Sequence, residues 1–393
     1  MNIPFYKPDI TEDDIQEVVN TLRSGWITTG GKTAQLEREL ARFCSTEKAV
    51  CLSSQTAAAE LTLRLLGIGQ GDEVIVPAYT YTATCSVVCH VGATPVLVDC
   101  ADDSPEMDLD KLEKAITHRT KCIIPVDIAG KMCDYKSILE AVKAKSAWFL
   151  PKNELQKAFG RIIIMADAAH SLGAFRSGEK SGQAADFTTF SFHAVKNLTT
   201  AEGGAVTWRK NPALDSEKIY RQYKLFSLHG QDKDALEKSR SNCWEYDVTA
   251  PYYKCNMTDM QAALGVSQLR RYEATLEKRR SMIENFNKAF KSLPVQLIKH
   301  KGRGQMSSGH LYMTKLSNGS RDKVIAALAE DGIRCNVHYK PLPLLTAYKK
   351  MGFAAEDYPI AVQHYNSELT LPLYSTMTLE EQEYLVEKFK KCF

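Results

Sequence analysis

Short apolar runs that lack alternation of apolar and polar residues recur along the first two thirds of the chain, and they constrain the fold most strongly. Helical segments lie between these runs, which are AVCLS, EVIVP, TPVLVD, KCIIPV, RIIIMAD and DFTTFSFH. Strands that are buried on both faces show no alternation, and a parallel sheet covered by helices buries both faces of its strands. We therefore predict an α/β fold with a mostly parallel central sheet flanked by helices.

The pattern changes after about Thr258. Residues 259–293 place apolar residues near i, i+3 and i+4, which predicts one long helix. Weaker strands, HLYMTKL and IRCNVHY, and the helices RDKVIAALAEDG and LEEQEYLVEKFKK follow. A chain of 393 residues is too long for one small core. We predict a large α/β domain of residues 1–265 and a smaller C-terminal α+β domain of residues 266–393.

Charge and composition exclude several classes of function. The formal net charge is +3 with both signs interspersed, which gives no indication of nucleic-acid or membrane partners. The N-terminus does not resemble a signal peptide, and no apolar stretch approaches the length of a membrane span. Most of the 11 cysteines lie in apolar runs and none forms a CxxC pair, which favours buried thiols over disulfides or a metal site. We expect a reduced, cytoplasmic protein.

Two charged residues follow neighbouring apolar runs. Asp167 ends RIIIMAD, and a carboxylate there is costly to bury unless it meets a cation or hydrogen-bond donors. Lys196 lies in SFHAVKNLTTAEGG, just beyond the next run. A lysine held partly away from water has a lowered pKa and becomes a nucleophile toward carbonyl groups. Because ligands bind beyond the carboxyl ends of strands in such sheets, the two side chains can converge on one crevice.

Other strand ends carry groups that complete a recognisable set. Residues 53–56, SSQT, open a helix and could cradle a phosphate, although plain helix capping is the preferred explanation of this stretch in isolation. Tyr79 or Tyr81 could stack on a flat ring, and His170 could donate to the same ligand. A phosphate cradle, an aromatic face, a carboxylate and a lysine together match pyridoxal 5′-phosphate (PLP). We therefore predict PLP as the cofactor and Lys196 as its covalent anchor.

Seven motifs in order along nearly the whole chain resemble one family. They are GWITTGGKT, LSSQTAAAELTL, DEVIVPAYTYTAT, IMADAAHSLGA, FSFHAVKNLTTAEGGAV, YKCNMTDMQAAL and VHYKPLP. This pattern resembles the DegT/DnrJ/EryC1/StrS sugar aminotransferases, which have the PLP-dependent fold type I. The chain departs from the family pattern in two places. The segment of residues 146–161 is longer than the usual link, which we interpret as a surface insertion, and Gly309 replaces a residue that is usually aromatic.

The resemblance implies a role for each matching position. Lys196 would be the Schiff-base lysine and proton carrier, and Asp167 would keep the pyridine nitrogen protonated. The other cofactor-binding residues would be Gln55, Thr56, Tyr81, His170, Ser191 and, from the neighbouring subunit of a homodimer, Asn256. The residues on the nucleotide-sugar side would be Trp26, Thr29, His193, His229, His338 and Tyr339.

Variants within these motifs narrow the expected substrate. SFHAVK with TTAEGG, and PVDIAGK, resemble members that aminate C4, such as those of the pseudaminic acid and aminoarabinose pathways. Members that aminate C3 more often carry Tyr-Pro in place of His193-Ala194 and aspartate in place of Glu202. The resemblance thus implies amino transfer from glutamate to C4 of a nucleotide-linked 4-keto-6-deoxy sugar. C3 sugar and keto-cyclitol aminotransferases, and a regulatory protein without turnover, stay as alternatives.

Overall fold

A computed structural model describes residues 1–239, 244–316 and 320–393. The α-helices in these ranges are α1 (Glu12–Arg23), α2 (Gly31–Cys44), α3 (Gln55–Leu65), α4 (Thr82–His90), α5 (Leu109–Ala115), α6 (Tyr135–Ala144), α7 (Glu154–Phe159), α8 (Ser216–Ser227), α9 (Ala235–Lys238), α10 (Asp259–Arg270), α11 (Tyr272–Phe290), α12 (Arg321–Glu330), α13 (Thr346–Lys350), α14 (Pro359–Ser367) and α15 (Leu379–Lys390). The strands are β1 (Ala49–Leu52), β2 (Glu73–Pro77), β3 (Thr94–Val98), β4 (Cys100–Ala101), β5 (Ser104–Met107), β6 (Thr120–Ile123), β7 (Ile163–Asp167), β8 (Phe175–Arg176), β9 (Glu179–Lys180), β10 (Phe187–Ser191), β11 (Gly204–Trp208), β12 (Val295–Leu297), β13 (Lys301–Gly302), β14 (Gln305–Met306), β15 (Tyr312–Leu316) and β16 (Glu368–Leu371).

Seven strands form the central sheet, in the spatial order β1, β11, β10, β7, β6, β2, β3. Strands β3, β2, β6, β7 and β10 are joined by parallel pairings, whereas β11 is antiparallel to both of its neighbours. All six apolar runs identified in the sequence form strands of this sheet, so the predicted fold class is confirmed. Strand β11, which follows the TTAEG segment, was not predicted.

The sheet is buried on both faces, which explains why its strands lack alternation. Successive residues of one strand contribute to different core clusters: Val74 and Val76 of β2 belong to one, and Ile75 between them belongs to the other. The same division separates Ile163 from Ile164 in β7. Since both faces need apolar side chains, each strand is a continuous hydrophobic run.

The C-terminal part has its own core around an antiparallel sheet of β12, β15 and β16. Phe290 of α11 packs there against Phe389 of α15, and Phe286 stacks on Phe290. The N-terminal residue Ile3 belongs to this same core, and its backbone N–H donates to the carbonyl of Gly332 at 2.9 Å. The division at residues 265 and 266 stays a prediction.

Two elements differ from the predictions. The single helix expected over residues 259–293 is two helices, α10 and α11, which are separated at Arg271 (φ −106°, ψ 6°). The side chain of Arg271 turns there to donate to the buried carboxylate of Asp14 in α1, at 2.7 Å. The predicted strand IRCNVHY is instead irregular chain that makes isolated bridges, at Ile333 and Asn336.

The insertion at residues 146–161 lies on the surface as predicted and includes α7. The side chains of Asn153 and Gln156 both donate to the carbonyl of Leu66, at 2.9 and 2.8 Å, which satisfies the C-terminal end of α3. The cysteines within the described ranges are unpaired, as expected for thiols. In those ranges we find no helix that is both long and apolar enough to span a bilayer.

Candidate active site

A cavity of about 590 Å³ lies where β7 and β10 end. It brings together ten of the residues predicted from the sequence, which come from separate parts of the chain. They are Gln55, Thr56, Tyr81, Asp167, His170, Ser191, His193, Lys196, His338 and Tyr339. The two strands are parallel neighbours in the sheet, so residues that follow their carboxyl ends meet at one edge.

Asp167 is the last residue of β7 and is buried. Its carboxylate accepts hydrogen bonds from the Thr84 hydroxyl at 2.7 Å and from the Ala169 backbone N–H at 3.2 Å. Burial raises the pKa of Asp167 above its ordinary value, and the hydrogen bond from Thr84 opposes that shift. The site therefore favours a cation or a further donor beside this carboxylate.

Lys196 lies in the loop that follows β10. Its backbone N–H donates to the carbonyl of His193 at 2.9 Å, and its own carbonyl accepts from the Tyr6 hydroxyl at 3.0 Å. Burial lowers the pKa of Lys196 to about 8, while the charge of Asp167 acts in the opposite direction. At pH 7 roughly one tenth of such an amine is neutral, compared with less than roughly a thousandth of an ordinary lysine. Lys196 is therefore prepared to act both as a nucleophile and as a base.

Neutral aromatic side chains surround this lysine. Nε2 of His170 lies 3.0 Å from the Tyr339 hydroxyl, while Nδ1 of His170 is buried without a hydrogen-bond partner among the described residues. Burial, and then the charge of Lys196, hold the pKa of His170 well below its ordinary value. Burial also lowers the pKa of His338 to about 3. These imidazoles are therefore uncharged and available to hydrogen-bond a ligand.

The N-terminus of α3 borders the cavity. Ser54 caps this helix by accepting from the Ala57 N–H at 3.0 Å, and Gln55 and Thr56 follow it. The Gln55 side chain donates to the Thr189 hydroxyl at 3.0 Å. Gly204 packs directly on this turn, because a Cβ there would overlap the backbone of residues 54 and 55. The glycine thus lets β11 approach a helix N-terminus, where anions such as phosphate bind.

Four of the predicted residues do not line this cavity. Thr29 and Asn256 instead lie together in a second cleft of about 550 Å³, where the Asn256 amide donates to the Thr29 hydroxyl at 2.5 Å. Trp26 lies beside them, since its indole N–H donates to the Thr29 carbonyl at 3.2 Å. His229 is exposed, and its backbone N–H donates to the carbonyl of Tyr253 at 2.7 Å.

Sequence reasoning missed several residues of the site. Thr84 of α4 donates its hydroxyl hydrogen bond to Asp167, and as one of several threonines near Tyr81 it gave no sign of that role in the sequence. His310, Phe5 and Tyr6 line the cavity from segments distant in sequence, so no local pattern could reveal them. The neighbouring Gly309 has φ +66°, a backbone conformation that L side chains rarely adopt, and a Cβ there would lie 2.9 Å from the end of the Ile283 side chain.

A family model described as the DegT/DnrJ/EryC1/StrS aminotransferase family matches residues 8–390. The chain belongs to this family. It is 35% identical over 392 residues to the spore coat polysaccharide biosynthesis protein SpsC of Bacillus subtilis strain 168, covering 98% of this chain and 95% of SpsC. The predicted family and enzyme class are confirmed.

Solved structures agree with this assignment. Spr1654 from Streptococcus pneumoniae, named as a sugar aminotransferase and solved in its PMP form, superposes with a TM-score of 0.97 at 53% identity, covering 100% of this chain and 99% of that one. PseC from Helicobacter pylori, an aminotransferase involved in the biosynthesis of pseudoaminic acid, superposes with a TM-score of 0.86 at 28% identity, covering 100% and 99%. Spr1654 has also been solved in its PLP form. The chain is a PLP-dependent aminotransferase of this family, and the predicted cofactor is confirmed.

The residues of the cavity fit PLP. The buried carboxylate of Asp167 would meet the protonated ring nitrogen, a partner that favours the ionised form of this carboxylate against the effect of burial. The unpartnered Nδ1 of His170 offers a hydrogen bond to a ring substituent. The N-terminus of α3 and the hydroxyl of Ser191 would hold the phosphate, and Lys196 would bond to the carbonyl carbon.

Proposed function

We propose that this enzyme transfers an amino group from L-glutamate to the C4 keto carbon of a nucleotide-linked 4-keto-6-deoxy sugar. The observation that carries the proposal is the buried Asp167 and Lys196 pair in a cavity whose walls come from distant segments. The C4 position is supported by the SFHAVK and TTAEGG motifs and by the structural likeness to PseC.

The residues of the chain would divide the chemistry between them. PLP, when bound, supplies the carbonyl that takes the amino group and a ring that withdraws electrons from the reacting carbon. Asp167 keeps the ring nitrogen protonated, which preserves that withdrawal. Nζ of Lys196 accepts and returns the proton at the reacting carbon, a role that suits an amine with a pKa of about 8. His170 and Tyr339 stay neutral because burial lowers the pKa of one and raises that of the other, so they orient the ligand by hydrogen bonding.

A homodimer with shared active sites is part of this proposal. Thr29 and Asn256 line a separate cleft in one chain, as expected if they act in the site of the partner. Residues 244–248 border that cleft through a 3.0 Å hydrogen bond from the Asp247 N–H to Asp232, and they include Trp244, which is 77% exposed. A second copy of the chain would cover Trp244 and the exposed side chains of Tyr246 and Val248 beside it.

Visible absorption tests the first half-reaction. The purified protein with PLP should show a band of lysine-linked cofactor that L-glutamate removes as the pyridoxamine form appears. Lys196→Ala should lack that band under the same conditions. A wild-type band that no glutamate concentration changes would reject glutamate as donor, and a Lys196→Ala protein with the same covalent band would reject the assigned lysine.

The second half-reaction identifies the acceptor. The pyridoxamine form is mixed with nucleotide-linked 3-keto and 4-keto sugars and with keto-cyclitols, and return of the lysine-linked band is followed. We expect the 4-keto-6-deoxy sugar nucleotide to restore the band fastest, with the new amine at C4 by NMR of the product. Preferred restoration by a 3-keto sugar or a keto-cyclitol would contradict the proposal in favour of that substrate class.

A further inference from the structure

The first six residues form an N-terminal strap (residues 1–6) that reaches from the C-terminal core to the cavity. Ile3 is fully buried in that core. Its N–H donates to the Gly332 carbonyl at 2.9 Å, and its carbonyl accepts from the Arg334 N–H at 3.0 Å. Both backbone groups of Ile3 are therefore hydrogen-bonded, which limits how far the residues that follow it can move.

Phe5 carries the strap into the cavity wall. Its ring stacks on that of His338, with centroids 5.5 Å apart and planes 29° apart, and both rings line the cavity. His338 is itself held, because its backbone N–H donates to Glu368 at 2.8 Å and its Nδ1 lies 2.9 Å from the Thr370 hydroxyl. Phe5 thus presents an apolar face on the side of the cavity formed by C-terminal residues.

Tyr6 then joins the strap to the reacting lysine. Its hydroxyl donates to the carbonyl of Lys196 at 3.0 Å, across 190 positions of sequence. Burial raises the pKa of Tyr6, so the hydroxyl keeps its proton and acts as a donor. The next residue, Asn197, is held from another direction, because its amide donates to the Ser308 carbonyl at 3.0 Å. The backbone on the carboxyl side of Lys196 is therefore fixed by groups that lie outside its own loop.

We propose that the N-terminal strap is a working part of the active site, in which Tyr6 is a positioning residue for Lys196 and Phe5 bounds the space for the sugar substrate. The role of Phe5 rests on the function proposed above, whereas the role of Tyr6 requires only that Lys196 be the reacting amine. Lys196 lies in a loop, and the hydrogen bond from Tyr6 helps to fix the backbone from which its buried side chain projects. Loss of that bond would let the amine approach water.

Two single-atom variants test the role of Tyr6. Tyr6→Phe removes only the hydroxyl that contacts Lys196. Tyr384→Phe is the matched control, because its hydroxyl also donates to a backbone carbonyl at 3.0 Å, that of Asp331, and it does not line the cavity. In the full-length protein freed of cofactor, the rate at which an acylating reagent modifies Lys196 is measured against pH by mass spectrometry.

The wild-type profile should rise with a midpoint near the lowered pKa of Lys196, about 8. We expect Tyr6→Phe to move the midpoint upward, because a better hydrated ammonium holds its proton more tightly, and Tyr384→Phe to leave it in place. An unchanged midpoint in Tyr6→Phe would overturn the proposal. Equal movement in both variants would overturn it too, since the cause would then be general loosening.

Half-reactions of the holoenzyme separate the two residues of the strap. Tyr6→Phe should slow the glutamate half-reaction about three- to tenfold at saturation, the effect of one neutral hydrogen bond, with little change in KM. Phe5→Ala should raise KM for the keto sugar more than it raises KM for glutamate. Equal slowing of both half-reactions by Phe5→Ala would refute its place on the substrate side. If no keto-sugar nucleotide reacts with wild type, the proposed substrate is wrong, and the acylation profile still decides the role of Tyr6.

Discussion

Replacing Thr84 with valine removes one hydroxyl from the site and keeps the shape of the side chain. The hydroxyl of Thr84 donates to Oδ2 of Asp167 at 2.7 Å, and both residues are buried. The Ala169 N–H donates to the other oxygen at 3.2 Å, and the Gln55 side chain also stabilises this carboxylate by hydrogen bonding. Valine therefore leaves Oδ2 without its short hydrogen bond and drives the pKa of Asp167 further upward, because burial is then less opposed.

The size of the effect follows from the charge of the acceptor. A hydrogen bond to an ionised group contributes about 1.5–3 kcal/mol. PLP would bind with its ring nitrogen protonated and Asp167 ionised. Loss of the Thr84 hydrogen bond destabilises the ionised form of Asp167, so the binding free energy of PLP becomes less favourable by the same amount. We therefore expect the Kd for PLP to rise roughly tenfold to a hundredfold in Thr84→Val.

Titration of the cofactor-free protein with PLP, followed by visible absorption, measures this Kd. Thr314→Val is the matched control, because Thr314 is also buried and its hydroxyl donates at 2.9 Å to the backbone carbonyl of Leu369 in the C-terminal core. The control should lose some thermal stability and keep its affinity for PLP. A Thr84→Val protein that binds PLP within about twofold of wild type would refute the reasoning, since the hydrogen bond to Asp167 would then contribute little.

Three other predictions concern Lys196, the packing of Gly204 on the N-terminus of α3, and the dimer. The rate at which Lys196 bonds to PLP should rise with pH around 8 rather than around 10.5, because burial lowers the pKa of Lys196 and the neutral amine is the reactive form. A stopped-flow rate profile that is flat from pH 7 to 9 would contradict this prediction. Gly204→Ala should lower Tm in calorimetry and weaken PLP binding in titration, because its Cβ would overlap the backbone beside Gln55, at a cost of about 1–3 kcal/mol. Gly31→Ala is the control and should change neither quantity, because a Cβ there meets no atom within 4 Å. Mixing equal amounts of inactive Lys196→Ala and Asn256→Ala chains should restore roughly a quarter of wild-type activity after subunit exchange, because about half of the dimers are then mixed and each mixed dimer has one intact site of two. An absence of recovered activity would reject shared active sites.

Much of the fold could be predicted from local pattern, because burial on both faces of a parallel strand imposes continuous apolar runs such as RIIIMAD. Asp167 and Lys196 stood out for a related reason, since a charged residue close to the end of such a run is costly to bury unless it is paired or hydrogen-bonded. The antiparallel strand β11 escaped prediction, as did the break at Arg271. Both depend on partners outside the segment: β11 on pairing with β1 and β10, and the break on Asp14 of α1.

The sequence alone determined the family, the cofactor, six of the seven segments of the central sheet and the two charged residues that lie together in the cavity. The tertiary structure alone decided which distant residues surround them. Thr84 reaches Asp167 from 83 positions away and Tyr6 reaches Lys196 from 190, and neither contact has a counterpart in local spacing. It also separated Thr29 and Asn256 from the cavity that holds Lys196. Local patterns record which residues must be buried, whereas contacts across the chain arise only when the packed elements bring their ends together.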